Sequence, residues 1–205
     1  MLRGAGEANE GIFVVLEGID GSGTTTQAAR YAAHLRAQRR LVHTTHEPSS
    51  GPIGTQIRLV LRQRLQMPVT HQAETMALLF AADRLDHVAS EIDPLLRDGY
   101  VVISDRYDLS SLAYQSITST NAAEAPASQR QETGTVEWIR SLNRFARRPH
   151  VTVVLDVSPD VAASRRRARG GIAEIYDDGE LQARLAAAYR RADELVPGDL
   201  SLIHI

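Results

Sequence analysis

The chain has 205 residues, 23 basic and 25 acidic side chains, and a formal net charge of −2. That length predicts one domain with a real hydrophobic core, and 43% apolar with 23% charged residues excludes disordered and low-complexity classes. The charge balance argues against a nucleic-acid or membrane-surface binder, and the absence of cysteine excludes disulfide scaffolds, thiolate zinc sites and cysteine nucleophiles.

Residues 1–10 are rich in Gly, Ala and Glu and read as a flexible tail, leaving 11–205 as the domain. They lack the apolar core of a secretion signal. No apolar run approaches the ~20 residues of a membrane span. A cytoplasmic protein is expected. Ile12 to Leu16 is a short β-branched run bounded by glycine, which predicts a buried parallel strand. Ala28, Tyr31, Ala32 and Leu35 carry helical spacing after it. Leu41–Thr45 predicts a second strand, and Ile53, Ile57, Val60 and Leu61 a helix. A long helix is predicted from Ala73 to Ile92, with a short helical stretch after Pro94. Strands are predicted at Tyr100–Ser104, Val151–Val157 and Leu200–Ile205, and helices at Thr135–Ala146 and Leu181–Val196. Residues 116–134 are polar and aperiodic, so a surface loop is expected. Strands alternating with helices imply a three-layer α/β fold: a five-stranded parallel sheet with helices on both faces.

The strongest local motif runs from Gly18 through Ile19, Asp20, Gly21, Ser22, Gly23, Thr24 and Thr25 to Thr26. It follows a strand and opens a helix. Two glycines five positions apart match a P-loop, whose backbone N–H groups face a triphosphate at a helix N-terminus. Thr25 stands where a hydroxyl would ligate Mg²⁺. Thr24 stands where the motif calls for lysine. The chain has no lysine at all, every basic residue being arginine.

The strand ending at Ser104 runs into Asp105, Arg106 and Tyr107. A carboxylate at the carboxyl end of a parallel strand beside a phosphate loop is placed to hold Mg²⁺. Arg106 is suited to hold a phosphate bidentately, and equally to a surface ion pair. Phe80 and Arg84 lie one helical turn apart and can meet one planar group, although an aromatic there also suits a core. Ser158 and Pro159 form a helix start. The run Ser164 to Gly171 then places Arg165 and Arg169 on one side, before two glycines that would let the segment close.

Taken together, FVVLEGIDGSG, Glu47-Pro48, LLFAADRLDH, SDRYDLSSLAYQ and LDVSPDVAASRRRARGG resemble, in order, the thymidylate kinase family of P-loop nucleoside monophosphate kinases. The resemblance spans about residues 12 to 196. It implies ATP and dTMP as ligands, Mg²⁺ as cofactor, a homodimer, no nucleic-acid or membrane partner, and a LID at about 165–180. Phe80 then resembles the aromatic that stacks on thymine and Arg84 the donor to a thymine carbonyl. Ser111 and Tyr114 resemble base-edge and sugar contacts, with Gln115 on the same wall. Asp20 resembles the carboxylate near the deoxyribose and phosphates, and Arg106 the acceptor-phosphate clamp. Arg165 and Arg169 resemble catalytic LID cations, and Thr25 with Asp105 a metal pair. Histidine, His46, precedes Glu47 where the family often has arginine, and Ala173 to Tyr176 replace a further Asp-Arg pair. Thr24 keeps two readings open: an active kinase in which a LID arginine supplies the missing charge, or a nucleotide-binding protein with weakened or lost catalysis.

Overall fold

A computed structural model describes residues 10–68, 71–120, 132–170, 176, 178–196 and 200–203. The first strand, β1 (Ile12–Glu17), enters a glycine-rich turn and then α1 (Thr24–Ala37). Next come β2 (Val42–His46), α2 (Pro52–Leu61) and α3 (Gln72–His87). A π-helical turn, Val88–Ile92, carries α3 into α4 (Asp93–Arg97), which feeds β3 (Val101–Asp105). The chain continues through α5 (Asp108–Thr120), α6 (Glu132–Leu142), β4 (Val151–Leu155) and α7 (Pro159–Arg169). It ends with α8 (Gly179–Arg190), α9 (Ala192–Leu195) and β5 (Leu200–Ile203).

All strands pair in parallel, in the order β2-β3-β1-β4-β5. Four of them form the body of the sheet, and β5 joins β4 at the edge, Thr152 to Leu155 opposite Leu200 to Ile203. Side chains of β1 alternate between faces, as the strand period requires. Phe13 and Val15 pack with Val88, Ile92, Leu96 and Val102, whereas Val14 and Leu16 pack with Ala28 and Ala32 of α1. A third cluster joins α5, α6 and α8 through Leu112, Ile139, Leu185 and Tyr189. The strand order reverses about β1, so β1 and β3 open a crevice at their carboxyl ends, where α/β sheets bind ligands. Register sets its floor: Leu16 and His46 both stand opposite Asp105.

Several boundaries differ from expectation. Helix α5 reaches Thr120 and α6 begins at Glu132, so the predicted loop at 116–134 is helical at both ends, and 121–131 lie outside the described residues. Packing of Ile117 on the core holds this polar sequence in the helix, and the Ser116 and Thr118 hydroxyls are accommodated there by bonding back to the Leu112 carbonyl and, at 2.9 Å, to that of Tyr114. The helix expected over Leu181–Val196 is broken at Arg191 into α8 and α9. Of the predicted tail, Glu10 is described, paired with Arg147. Of the predicted LID, 171–175 and 177 lie outside the described residues. Ser158 caps α7 as its sequence implies, accepting from the Val161 N–H at 3.4 Å.

Candidate functional site

A cleft of about 740 Å³ opens at the carboxyl edge of the sheet. The glycine-rich turn forms one wall. Gly21 (φ +90°) and Gly23 (φ +105°) adopt left-handed backbone that favours glycine. A Cβ on Gly21 would stand 2.4 Å from the Ala162 carbonyl, so only glycine lets α7 pack on the turn. Asp20, Gly21, Gly23, Thr24, Thr25 and Thr26 line the cleft. Ile19 and Ser22 turn their side chains into the protein, so only their backbone can serve a ligand here. Arg165 and Arg169 of α7, which packs on the turn, line the same cleft. Arg165 donates from Nη1 to the Ser22 carbonyl at 2.9 Å, and Arg166 from Nη1 to the Asp20 carbonyl at 2.5 Å. The arginine run therefore clasps the turn with two of its members.

Thr25 Oγ1 donates to Asp105 Oδ2, and the other carboxylate oxygen, Oδ1, is buried without a partner. Among the described residues, no group of three or more His, Cys, Asp or Glu is placed to hold a metal. One hydroxyl and one orphaned carboxylate oxygen instead fit a hard cation that takes most of its oxygens from phosphate and water, as Mg²⁺ does.

A smaller pocket of about 110 Å³ adjoins the cleft. Its lining includes Phe80, Arg84, Ser111, Tyr114 and Gln115, and three residues border both spaces: Asp20, Glu47 and Arg106. Arg106 is at the junction. Its backbone is left-handed (φ +72°), an uncommon state for a side chain of this size, and is held by its N–H on the Leu16 carbonyl. Its guanidinium meets Asp20 Oδ1 at 2.6 Å, Ser110 Oγ and Tyr189 OH at 3.2 Å each, and the face of Tyr114. Burial works against its charge, but Tyr114, Asp20, Tyr189 and Glu17 around it outweigh that and raise its pKa well above the ordinary value. Asp20 Oδ2 accepts from Tyr114 OH and Gln182, each at 3.1 Å.

In the small pocket Phe80 serves both roles its sequence allowed, lining the space and packing on the α2–α3 cluster. Arg84 is 1% exposed and is committed to protein acceptors more fully than expected. Its Nε and Nη2 donate to Glu47 Oε2 at 2.9 and 2.7 Å, and Nη2 also reaches the Tyr107 carbonyl and Ser111 Oγ at 3.1 Å. Nη1 donates to Asn143 Oδ1, which leaves one of its N–H groups for a ligand. Gln115 Oε1 is buried without a partner, an acceptor available to a ligand N–H. Behind Arg84, His87 Nδ1 lies 3.3 Å from Glu47 Oε1. Burial pushes the His87 pKa down, but the Glu47 hydrogen bond and the charges of Glu47, Glu91 and Asp83 raise it overall.

With this geometry in place, comparison with known proteins decides the family. The thymidylate kinase profile matches residues 16–204. The chain belongs to the thymidylate kinase family. A probable thymidylate kinase of Pyrobaculum calidifontis is 40% identical over 178 residues, covering 87% of this chain and 80% of the relative. One of Pyrococcus abyssi is 40% identical over 186 residues, covering 90% and 84%. One of Thermococcus kodakarensis is 38% identical over 192 residues, covering 91% and 86%. Within this family member, the residues that sequence reasoning did not assign are Glu17, Ser110, Asn143, Gln182 and Tyr189. Glu17 carried one signal, a carboxylate closing an otherwise apolar strand. Ser110 sits inside the SDRYDLSSLAYQ block beside Ser111, whereas Asn143, just past α6, and Gln182 and Tyr189 of α8 are distant in sequence and carried none. No helix of the described residues is long and apolar enough to cross a membrane.

Proposed function

We propose that this chain transfers the γ-phosphoryl group of ATP to dTMP, giving ADP and dTDP. The observation that carries the reading is the pair of adjoining spaces that share Asp20, Glu47 and Arg106. The larger space, walled by the glycine-rich turn, suits the triphosphate. The smaller, with Phe80 on one wall and Gln115 and Arg84 as polar groups, suits thymine. Arg106 at the boundary then holds the acceptor phosphate facing the donor.

Phosphoryl transfer needs positioning and charge neutralisation rather than covalent help from the protein. The turn amides and the start of α1 cradle the donor phosphates. Thr25 and Asp105 would hold Mg²⁺, which neutralises phosphate charge. Arg106 fixes the acceptor with charge-assisted hydrogen bonds. Arg165 and Arg169 supply positive charge to the cleft that Thr24 lines without a charge, Arg165 from against the same turn. That arrangement supports an active enzyme. Thr24 itself favours a second reading, a nucleotide-binding protein with weak or no turnover.

A homodimer goes with the kinase reading. Leu78 and Leu85, exposed and seven residues apart on α3, would be covered by the second copy, and light scattering gives the mass. The deciding experiment for the activity is coupled ADP release with dTMP, dUMP, AMP and CMP as acceptors, with and without Mg²⁺. Preference for dTMP supports the assignment, and equal rates on all four overturn it. Nucleotide binding without turnover establishes the second reading.

A further inference from the structure

Glu17 is wholly buried, 0% exposed, directly behind the Arg106 guanidinium, and nothing in the reading above uses it. Its two carboxyl oxygens have separate duties. Oε1 accepts the backbone N–H groups of Tyr107 and Ser110 at 2.8 and 3.2 Å. Those two amides flank the start of α5, one residue beyond the left-handed Arg106. Oε2 accepts the hydroxyls of Ser110 and Tyr189 at 2.6 and 3.0 Å. Both hydroxyl oxygens in turn lie 3.2 Å from Arg106 Nη1.

A hydroxyl has one proton and can also accept. With the Ser110 and Tyr189 protons directed to Oε2, both oxygens present lone pairs to Nη1. Arg106 is thereby fixed at Nη1 by two oriented acceptors and at Nη2 by Asp20. We propose that Glu17 is a positioning residue: through Ser110 and Tyr189 it sets the direction of the Arg106 guanidinium, and so the strength with which the site holds the phosphate of a nucleoside monophosphate. The proposal rests on the assignment of Arg106 as the acceptor-phosphate clamp.

Substitution Glu17→Gln keeps the size and reverses one half of the donor pattern. If the amide NH₂ takes the Oε2 place, it donates to the two hydroxyls and turns their protons toward Arg106. If it takes the Oε1 place, it faces two backbone N–H donors. Either arrangement leaves a buried mismatch. Tyr189→Phe is milder, since it removes one arm of the link and leaves Glu17 its other three donors.

The measurement is the gain in affinity that the phosphate brings: the Kd for thymidine divided by the Kd for dTMP, each from titration calorimetry without ATP at about pH 8.5, where Glu17 is a carboxylate. This needs no turnover, so it holds for an active kinase or an inactive one. Loss of a charge-assisted hydrogen bond corresponds to at least ~10-fold. Glu17→Gln is therefore expected to cut the gain by at least ~10-fold and Tyr189→Phe by a smaller factor, on the order of 3-fold, with thymidine affinity unchanged in both. If Glu17→Gln does not fold, Tyr189→Phe alone decides. A gain unchanged in the folded variants, or thymidine and dTMP affinities falling together, overturns the positioning role. A wild-type protein that binds dTMP no better than thymidine overturns the clamp assignment, and the role of Glu17 with it.

Discussion

Replacing Arg165 by alanine separates the two readings of Thr24. Arg165 Nη1 is 2.9 Å from the Ser22 carbonyl and 3.9 Å from where a Cβ on Gly23 would stand. The guanidinium therefore lies over the residue immediately before Thr24, against the wall where donor phosphates are proposed to bind. A unit charge about 4 Å from charge developing on a phosphoryl group, at an effective dielectric constant of ~20, contributes ~4 kcal/mol. That corresponds to ~10³ in rate, inside the ~10³–10⁵ range of arginines in phosphoryl transfer. Single-turnover transfer from ATP to dTMP, measured by rapid quench at saturating nucleotide and Mg²⁺, should slow by about that factor in Arg165→Ala. Arg169→Ala should also slow transfer, since Arg169 lines the same cleft. Adding Thr24→Lys to Arg165→Ala should recover at least ~10-fold, because position 24 faces the cleft and a lysine there returns the charge. Transfer within about threefold of wild type in both arginine variants would refute compensation by α7. Wild-type protein that binds ATP and dTMP but transfers nothing would instead establish a non-catalytic protein.

Other consequences follow from the same contacts. Arg84→Ala leaves Glu47 buried with His87 as its remaining cationic neighbour, which should cost ~3–5 kcal/mol and lower the melting temperature by roughly 10 °C; a melting temperature unchanged by calorimetry would mean that the pair is not held as described. The 110 Å³ pocket has little spare room, so the thymine methyl should be worth ~1–3 kcal/mol, and kcat/KM for dUMP should fall below that for dTMP by at least ~10-fold. Burial pushes the Glu17 pKa up to about 7, against the lowering effects of Arg106, Ser110 and the Tyr107 amide. A carboxyl raised in the folded state contributes stability that is complete below its unfolded value near 4.5 and is lost as pH rises through 7. Urea unfolding at several pH values should show that loss in wild type, with the raised His87 adding in the same direction above its ordinary 6.5; Glu17→Gln should show a shallower decline between pH 5 and 8, and an identical slope would contradict the buried ionisation.

The parts of this protein written in local sequence are those whose physics is local. The run Ile12 to Leu16, the glycines of the turn and the helical spacing after Thr24 determine a strand, a tight turn and a helix from neighbouring residues alone. Ser158 and Pro159 determine the start of α7 in the same way. The same locality placed Thr25, Asp105 and Arg106 at strand and helix ends, where an α/β sheet opens its crevice. Polar helical residues escaped that reading. Ser116 and Thr118 look like loop chemistry, but their hydroxyls bond to carbonyls one turn back and Ile117 between them packs on the core, so α5 extends further than its composition implied.

What only the tertiary structure decided is the partnership of buried charges. Arg84 was legible as a pocket residue, but its partners Glu47 and Asn143 lie 37 and 59 positions away. Tyr189, which helps aim Arg106, is 172 positions from the Glu17 that it donates to. A carboxylate or guanidinium removed from water must find several oriented partners at once. Helical and strand periods carry no record of which distant element supplies them. Packing of α8 against α5 brings Tyr189 to Glu17, and the sheet register brings Asp105 beside β1 and β2. The motif residues are therefore visible one by one in the chain, whereas the network that holds Arg106 between two pockets exists only in the folded molecule.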